Sequence, residues 1–86
     1  MERPWVSSPT YEAAIRALVK ARTDKGVSQA ELAERLGKSR SFVTKIEHRE
    51  RRVDIVEFVA IARALGYGPT DLMGLVDTAL EGPLEF

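Results

Sequence analysis

The sequence predicts an all-α fold, a compact domain of five short helices. Three observations predict it. Apolar residues recur at spacings of three and four in successive segments of the 86-residue chain. Residues suited to capping helix starts, such as Ser8, Ser28, Ser39 and Asp54, precede those segments, and Gly26, Gly37, Gly66 and Gly82 follow them. Hydrophobic residues make up 44% and charged residues 30%, an ordinary balance for one small globular domain with a limited core.

Residues 1–8 hold Pro4 and Trp5 without periodicity and read as an irregular arm. Trp5 is too large an apolar ring to be left uncovered and is expected to pack on the domain or else on a partner subunit. The domain proper is expected to span 9–81. Ser8 and Pro9 read as the N-cap and first residue of a helix. Tyr11, Ala14, Ile15, Leu18 and Val19 form its buried stripe, and Gly26 stops it near Lys25. Ser28 caps the next helix, and Glu31 closes a capping box with it. Leu32, Ala33 and Leu36 follow at helical spacing, and Gly37 supplies the positive φ that ends the helix.

Ser39 is placed to cap a third helix, whose buried edge is Val43 and Ile46. Arg40, Ser41, Thr44 and Lys45 project from the rest of its surface. Two helices crossing closely need a small residue at the crossing, and Ala33 sits there. Residues 28–47 thus read as a helix-turn-helix, an arrangement whose second helix enters the DNA major groove.

Asp54 and Glu57 form a second capping box. The stripe of Ile55, Phe58, Val59, Ala62 and Leu65, widened by Val56 and Ile61, predicts a fourth helix at the centre of the bundle. Gly66 to Pro69 breaks it. The last helix is expected over 69–81, with Leu72, Leu75, Val76, Ala79 and Leu80 on one face and Met73 beside it. Residues 82–86 form a tail carrying Leu84 and Phe86.

Net charge is zero, but its distribution is bipolar. Between Arg35 and Arg52 seven basic residues face two acidic ones, a balance of +5; from Val53 to Phe86 one faces six, a balance of −5. The positive pole coincides with the candidate recognition helix and the loop after it, as a DNA-facing surface requires. Arg40 has the reach for two parallel bonds to guanine, and Ser41, Thr44 and Lys45 are the other candidates for reading bases. Lys38, Ser39, Arg49, Arg51 and Arg52 are candidates for phosphate contact. Phe42 either meets a thymine methyl or packs at the domain edge. The chain has no cysteine and one histidine, His48, so no metal site, cofactor or catalytic cluster is expected. The aromatic residues are scattered and form no stacking platform for RNA. No apolar run approaches a membrane span and no signal peptide is evident, so a cytoplasmic protein is expected.

The string Ser28-Gln29-Ala30-Glu31-Leu32-Ala33-Glu34-Arg35-Leu36-Gly37, with Ser39, Ser41, Val43, Ile46 and Glu47, resembles the Cro/cI-type (XRE) helix-turn-helix proteins. A second match lies at Ile61-Ala62-Arg63-Ala64-Leu65-Gly66, and the resemblance covers roughly residues 11–80. It implies a lambda-repressor-like domain. It also implies a structural ion pair between Arg22 and Glu47, and a phosphate contact from Gln29 at the positive end of its helix. The family often has a glycine soon after the glutamate and a proline near position 53; Arg49 and Val53 stand there in this chain.

The apolar surface of the last helix, Leu72, Leu75, Val76, Ala79 and Leu80, is expected to bury against a second copy. The resemblance also points to two-fold dimers. The leading reading is a dimeric repressor that binds a near-palindromic double-stranded operator. The competing reading is an antitoxin-like module that docks a toxin or other protein through its acidic, apolar C-terminal segment and represses its own operon. An enzyme is excluded.

Overall fold

The structure, a computed structural model, describes residues 7–86. Trp5 and its expected packing lie outside the described residues. Five helices follow in order: α1 (Pro9–Asp24), α2 (Gln29–Leu36), α3 (Arg40–Glu47), α4 (Ile55–Leu65) and α5 (Pro69–Ala79). No strand occurs among the described residues.

Local chemistry accounts for the helix ends. Pro9 opens α1, and Ser8 Oγ accepts the Tyr11 N–H at 3.2 Å. Both expected capping boxes are present, Ser28 with Glu31 on α2 and Asp54 with Glu57 on α4. After α2, Gly37 takes φ 67°, so Lys38 N–H reaches back to Ala33 O at 2.9 Å. The start of α3 differs from expectation. Ser39 holds the N-cap position without a side-chain bond to the helix backbone; its Oγ pairs instead with Ser41 Oγ at 2.9 Å.

α1 packs most extensively on α5, and α2 on α3, with α4 against α2 and α5. The core takes Ile15, Leu18 and Ala21 from α1, Leu32 and Ala33 from α2, and Val43 and Ile46 from α3. Ile61, Ala62 and Leu65 come from α4, and Leu72 and Val76 from α5. Ala33 is buried where α2 meets α3, as close approach of two backbones requires.

Two expectations about apolar stripes fail. In α4, Ile55 and Val56 are 85% and 76% exposed, not buried. Ile61, Ala62 and Leu65 set the helix's inner face, and that cover runs out one turn before Ile55. Val56 shares the outer face with exposed Ala60 and Arg63. In α5, Leu72 and Val76 are 0% and 7% exposed inside the chain's own core, so neither is available to a second copy. Leu75 and Ala79 are exposed on that helix and Leu80 is half-buried.

The tail folds back onto α1. Buried Ser8 donates its hydroxyl to Glu85 O at 2.9 Å, and Glu85 N–H donates to Thr10 Oγ1 at 3.0 Å. No helix of the described residues is long and apolar enough to cross a membrane, and no group of three His, Cys, Asp or Glu among them could hold a metal ion.

Candidate nucleic-acid interface

The charged face is built on α3, and α3 is held from behind by one buried network. Arg22 lies one turn beyond Val19 on α1 and is 9% exposed. Its Nε donates to Glu47 Oε2 at 2.7 Å and its Nη2 to Glu47 Oε1 at 2.9 Å. The third arm, Nη1, donates to Val27 O at 2.8 Å. Gln29 Nε2 then donates to Glu47 Oε1 at 2.8 Å. One carboxylate at the end of α3 thus joins the last turn of α1 to the first residue of α2. Two-pronged arginine–carboxylate bonding fixes orientation as well as distance. The Gln29 side chain is thus turned inward to Glu47, where the resemblance implied an outward-facing phosphate ligand. An amide has two N–H donors, so one remains for a phosphate.

Val43 and Ile46 are buried as expected, which turns Arg40, Ser41 and Lys45 to solvent. Thr44 is half-buried and its hydroxyl donates back to Ser41 O at 3.2 Å. α3 has no side-chain cap; Phe42 N–H bonds Ser39 O at 3.0 Å, at the end of the helix where an anion is favoured. Lys38 and Ser39 are exposed beside that end.

Beyond α3 the chain turns through Arg49 in the left-handed region, φ 60°. The turn closes as a glycine would close it: Arg49 N–H bonds Ile46 O at 3.0 Å and Glu50 N–H bonds Lys45 O at 2.7 Å. An arginine here carries backbone strain that glycine would not. Arg49 is half-buried, and its Nε is enclosed without a hydrogen-bond partner.

Arg51 has partners within the fold. Its Nη1 and Nη2 donate to Glu57 Oε1 and Oε2, both at 2.9 Å, and its guanidinium lies 4.6 Å from the centroid of the Phe42 ring. Each outer arm of the fork is thus engaged within the fold by one N–H, which leaves a second N–H on each arm. Phe42 is the domain-edge contact, with Lys38 Nζ 5.5 Å from its ring. Arg52 is exposed and stacks 5.1 Å from the Tyr11 ring centroid. His48 caps the end of α3 and stands exposed, 3.9 Å from Glu50.

Sequence reasoning missed two tethers. One is Arg51–Glu57; the signal was Glu57 itself, a capping-box carboxylate with spare acceptors six residues on. The other is Arg35, whose Nη1 donates to Ala64 O at 2.9 Å and satisfies a carbonyl in the last turn of α4. Arg35 therefore braces α2 against α4.

The Arg51 guanidinium bonded to Glu57 holds that carboxyl below its ordinary value of 4.5. A carboxylate with a depressed folded-state pKa contributes stability above its unfolded pKa and loses it as pH falls through the folded one. Glu57→Gln is therefore expected to be less stable than wild type at pH 7, with the gap closing as pH is lowered well below 4.5. Parallel denaturant melts across that range check it; a gap unchanged at low pH would mean the effect is not ionic.

The helix-turn-helix family model matches residues 18–72. Among solved structures, the chain is similar to an XRE-family like protein from Pseudomonas syringae pv. tomato, at 40% identity and TM-score 0.74, covering 80% of this chain and 84% of that one. It is also similar to the clp gene regulator ClgR from C. glutamicum, at 28% identity and TM-score 0.74, covering 84% and 94%. A third is the restriction-modification controller protein C.AhdI from Aeromonas hydrophila, at 37% identity and TM-score 0.63, covering 70% and 91%. Comparison with curated proteins returned no match. With the capped α2, the glycine turn and the braced α3 in place, these likenesses make the chain a member of the XRE-type helix-turn-helix family, whose members are DNA-binding transcription regulators and not enzymes.

Proposed function

We propose that the protein is a sequence-specific transcription regulator, most simply a cytoplasmic repressor, that binds a near-palindromic duplex as a dimer. The observation that carries this reading is the α3 surface. Arg40, Ser41 and Lys45 face solvent together, while Arg22, Gln29 and Glu47 hold the helix rigid from behind. A pre-set helix loses little entropy on entering a groove. Arg40, at the first position of α3, reaches deepest and reads guanine; Ser41, the outer edge of Thr44 and Lys45 complete the base-reading set. Lys38, Ser39, Arg49, the remaining N–H groups of Arg51, Arg52 and the second N–H of Gln29 take phosphates. Two of the similar proteins, the clp gene regulator and the restriction-modification controller, carry names that support this reading.

Selection of genomic fragments by the purified protein at physiological salt tests it, with Arg40→Ala in parallel. The expected result is one near-palindromic motif with half-sites about one helical turn apart. Arg40→Ala is expected to weaken binding by about 1–3 kcal/mol and to relax preference at one base position per half-site. No enriched motif, with only weak salt-sensitive binding, would sink the site-specific reading. An Arg40→Ala protein with unaltered preference would remove Arg40 from the reading set.

A further inference from the structure

We propose that Arg49 is a clamp on the DNA backbone that leaves the domain less stable than a glycine in its place would. This rests on the DNA reading above and separates Arg49 from the other cations named there: it is the one whose presence the fold itself does not explain.

The cost to the fold is local. Arg49 stands two residues beyond the end of α3 with φ 60°, the left-handed region in which an L side chain crowds the following carbonyl. Gly37 and Gly66 take the same conformation where α2 and α4 end. Glycine is thus the ordinary means by which this chain stops a helix, and after α3 an arginine does that work. The side chain adds a second cost. Arg16, Arg22, Arg35 and Arg51 each donate to an oxygen of the same chain. Arg49 is half-buried, yet its Nε is enclosed without a hydrogen-bond partner. That N–H has left water and gained no acceptor. The charge of Arg49 does reach Glu12 of α1, whose carboxyl is held below its ordinary value of 4.5 first by Arg16 and then by Arg49. The bond to that carboxylate, however, belongs to Arg16. A strained backbone and an unbonded, enclosed guanidinium nitrogen in one residue point to something that the chain binds.

Position selects phosphates over bases. α3 has eight residues, so it is about 12 Å long, and Arg40 stands at its first, base-reading end. The major groove is itself about 12 Å wide. A residue beyond the far end of α3 therefore meets the wall of the groove, where the phosphates run, and not its floor. The guanidinium suits that wall, because its paired N–H groups match the oxygens of a phosphate. The turn is also firmly joined to α3, with Arg49 N–H on Ile46 O at 3.0 Å and Glu50 N–H on Lys45 O at 2.7 Å. A side chain confined around Nε on such a turn has less freedom to lose on binding.

The competing reading is that the half-buried stem of Arg49 packs for the benefit of the fold. The two readings give opposite results for Arg49→Gly.

Thermal melts of the full chain, with titrations of mixed-sequence duplex DNA at several salt concentrations, test the proposal. Wild type is compared with Arg49→Gly, Arg49→Lys and Arg63→Gln, the last removing an exposed cation of α4 outside the basic stretch. Arg49→Gly is expected to melt about 4–8 °C higher than wild type. It is also expected to lose about 0.9 from the slope of log K against log salt for each bound copy. Arg49→Lys keeps both the charge and the strained φ, and is expected to keep the wild-type slope and melting temperature. Arg63→Gln is expected to leave the slope unchanged. An Arg49→Gly protein that melts lower than wild type would make Arg49 a residue of the fold and overturn the proposal. An equal loss of slope in Arg63→Gln would overturn it too, by making the effect one of overall charge. A wild type whose duplex binding ignores salt would remove the DNA reading and this proposal with it. A salt-sensitive wild type whose slope Arg49→Gly matches would remove this proposal alone.

Discussion

Glu47→Ala is expected to cost the domain about 3–5 kcal/mol of stability, the largest loss of any single substitution on the α3 face. The cost comes from what is left behind. Arg22 is only 9% exposed, and without Glu47 two of its three donating nitrogens lose their acceptor in a place water barely reaches. Gln29 loses its partner as well. Small domains hold roughly 5–15 kcal/mol in all, so the variant is expected to melt tens of degrees lower, at about 4–8 °C per kcal/mol for this size. Replacing both partners by apolar residues, Arg22→Met with Glu47→Leu, is expected to recover much of the loss, since no bare charge then remains. Thermal and denaturant melts of the two single variants and the double decide it. A loss below about 1 kcal/mol for Glu47→Ala would mean the pair behaves as a surface ion pair and does not hold α3.

Leu72→Ala is expected to cost about 2–5 kcal/mol, and by the same amount at every protein concentration. Leu72 is fully buried among the side chains of its own chain, and removing three carbons leaves a hole that packed neighbours fill only in part. Leu75→Ala, three residues along the same helix but 47% exposed, is expected to change stability little. Melts of both variants over a range of protein concentrations check the contrast. A Leu72→Ala loss that shrank as protein was concentrated would place that side chain at a contact between copies. A small loss at all concentrations would mean the core repacks around the gap.

The helices were legible because their ends announce themselves. Ser8-Pro9, Ser28 with Glu31, Asp54 with Glu57, Gly37 and Gly66 each satisfy or release specific backbone groups, and those are local events a sequence records directly. The solvent face of α3 was legible for a similar reason: Val43 and Ile46 mark the inside of the helix, so Arg40, Ser41 and Lys45 must lie outside. What periodicity cannot record is who covers an apolar face. Leu72 and Leu75 belong to one stripe by spacing, yet one is sealed by the chain's own core and the other is half in water. Ile55 continues the stripe of α4 past the point where a neighbour covers it. Charge partners are equally silent at a distance. Arg22 and Glu47 stand 25 residues apart and came into view only through family resemblance, while Arg51 read as one more cation in a basic run until Glu57 was seen to take both arms of its fork.

The return of the tail to α1 has a kinetic meaning. The bonds from Ser8 to Glu85 and from Glu85 to Thr10 close loops of 77 and 75 residues, nearly the whole chain. Leu84 and Phe86 add little cover, being 55% and 95% exposed, so polar contacts do most of the holding. Loop closure over such a span must wait until the intervening helices have shortened it. The strap therefore forms after the barrier to folding has been crossed and lets go before the barrier to unfolding is reached. Its loss leaves the Ser8 cap on Tyr11 intact. The tail thus lowers how often the start of α1 frays, and changes almost nothing in how fast the bundle as a whole assembles or comes apart.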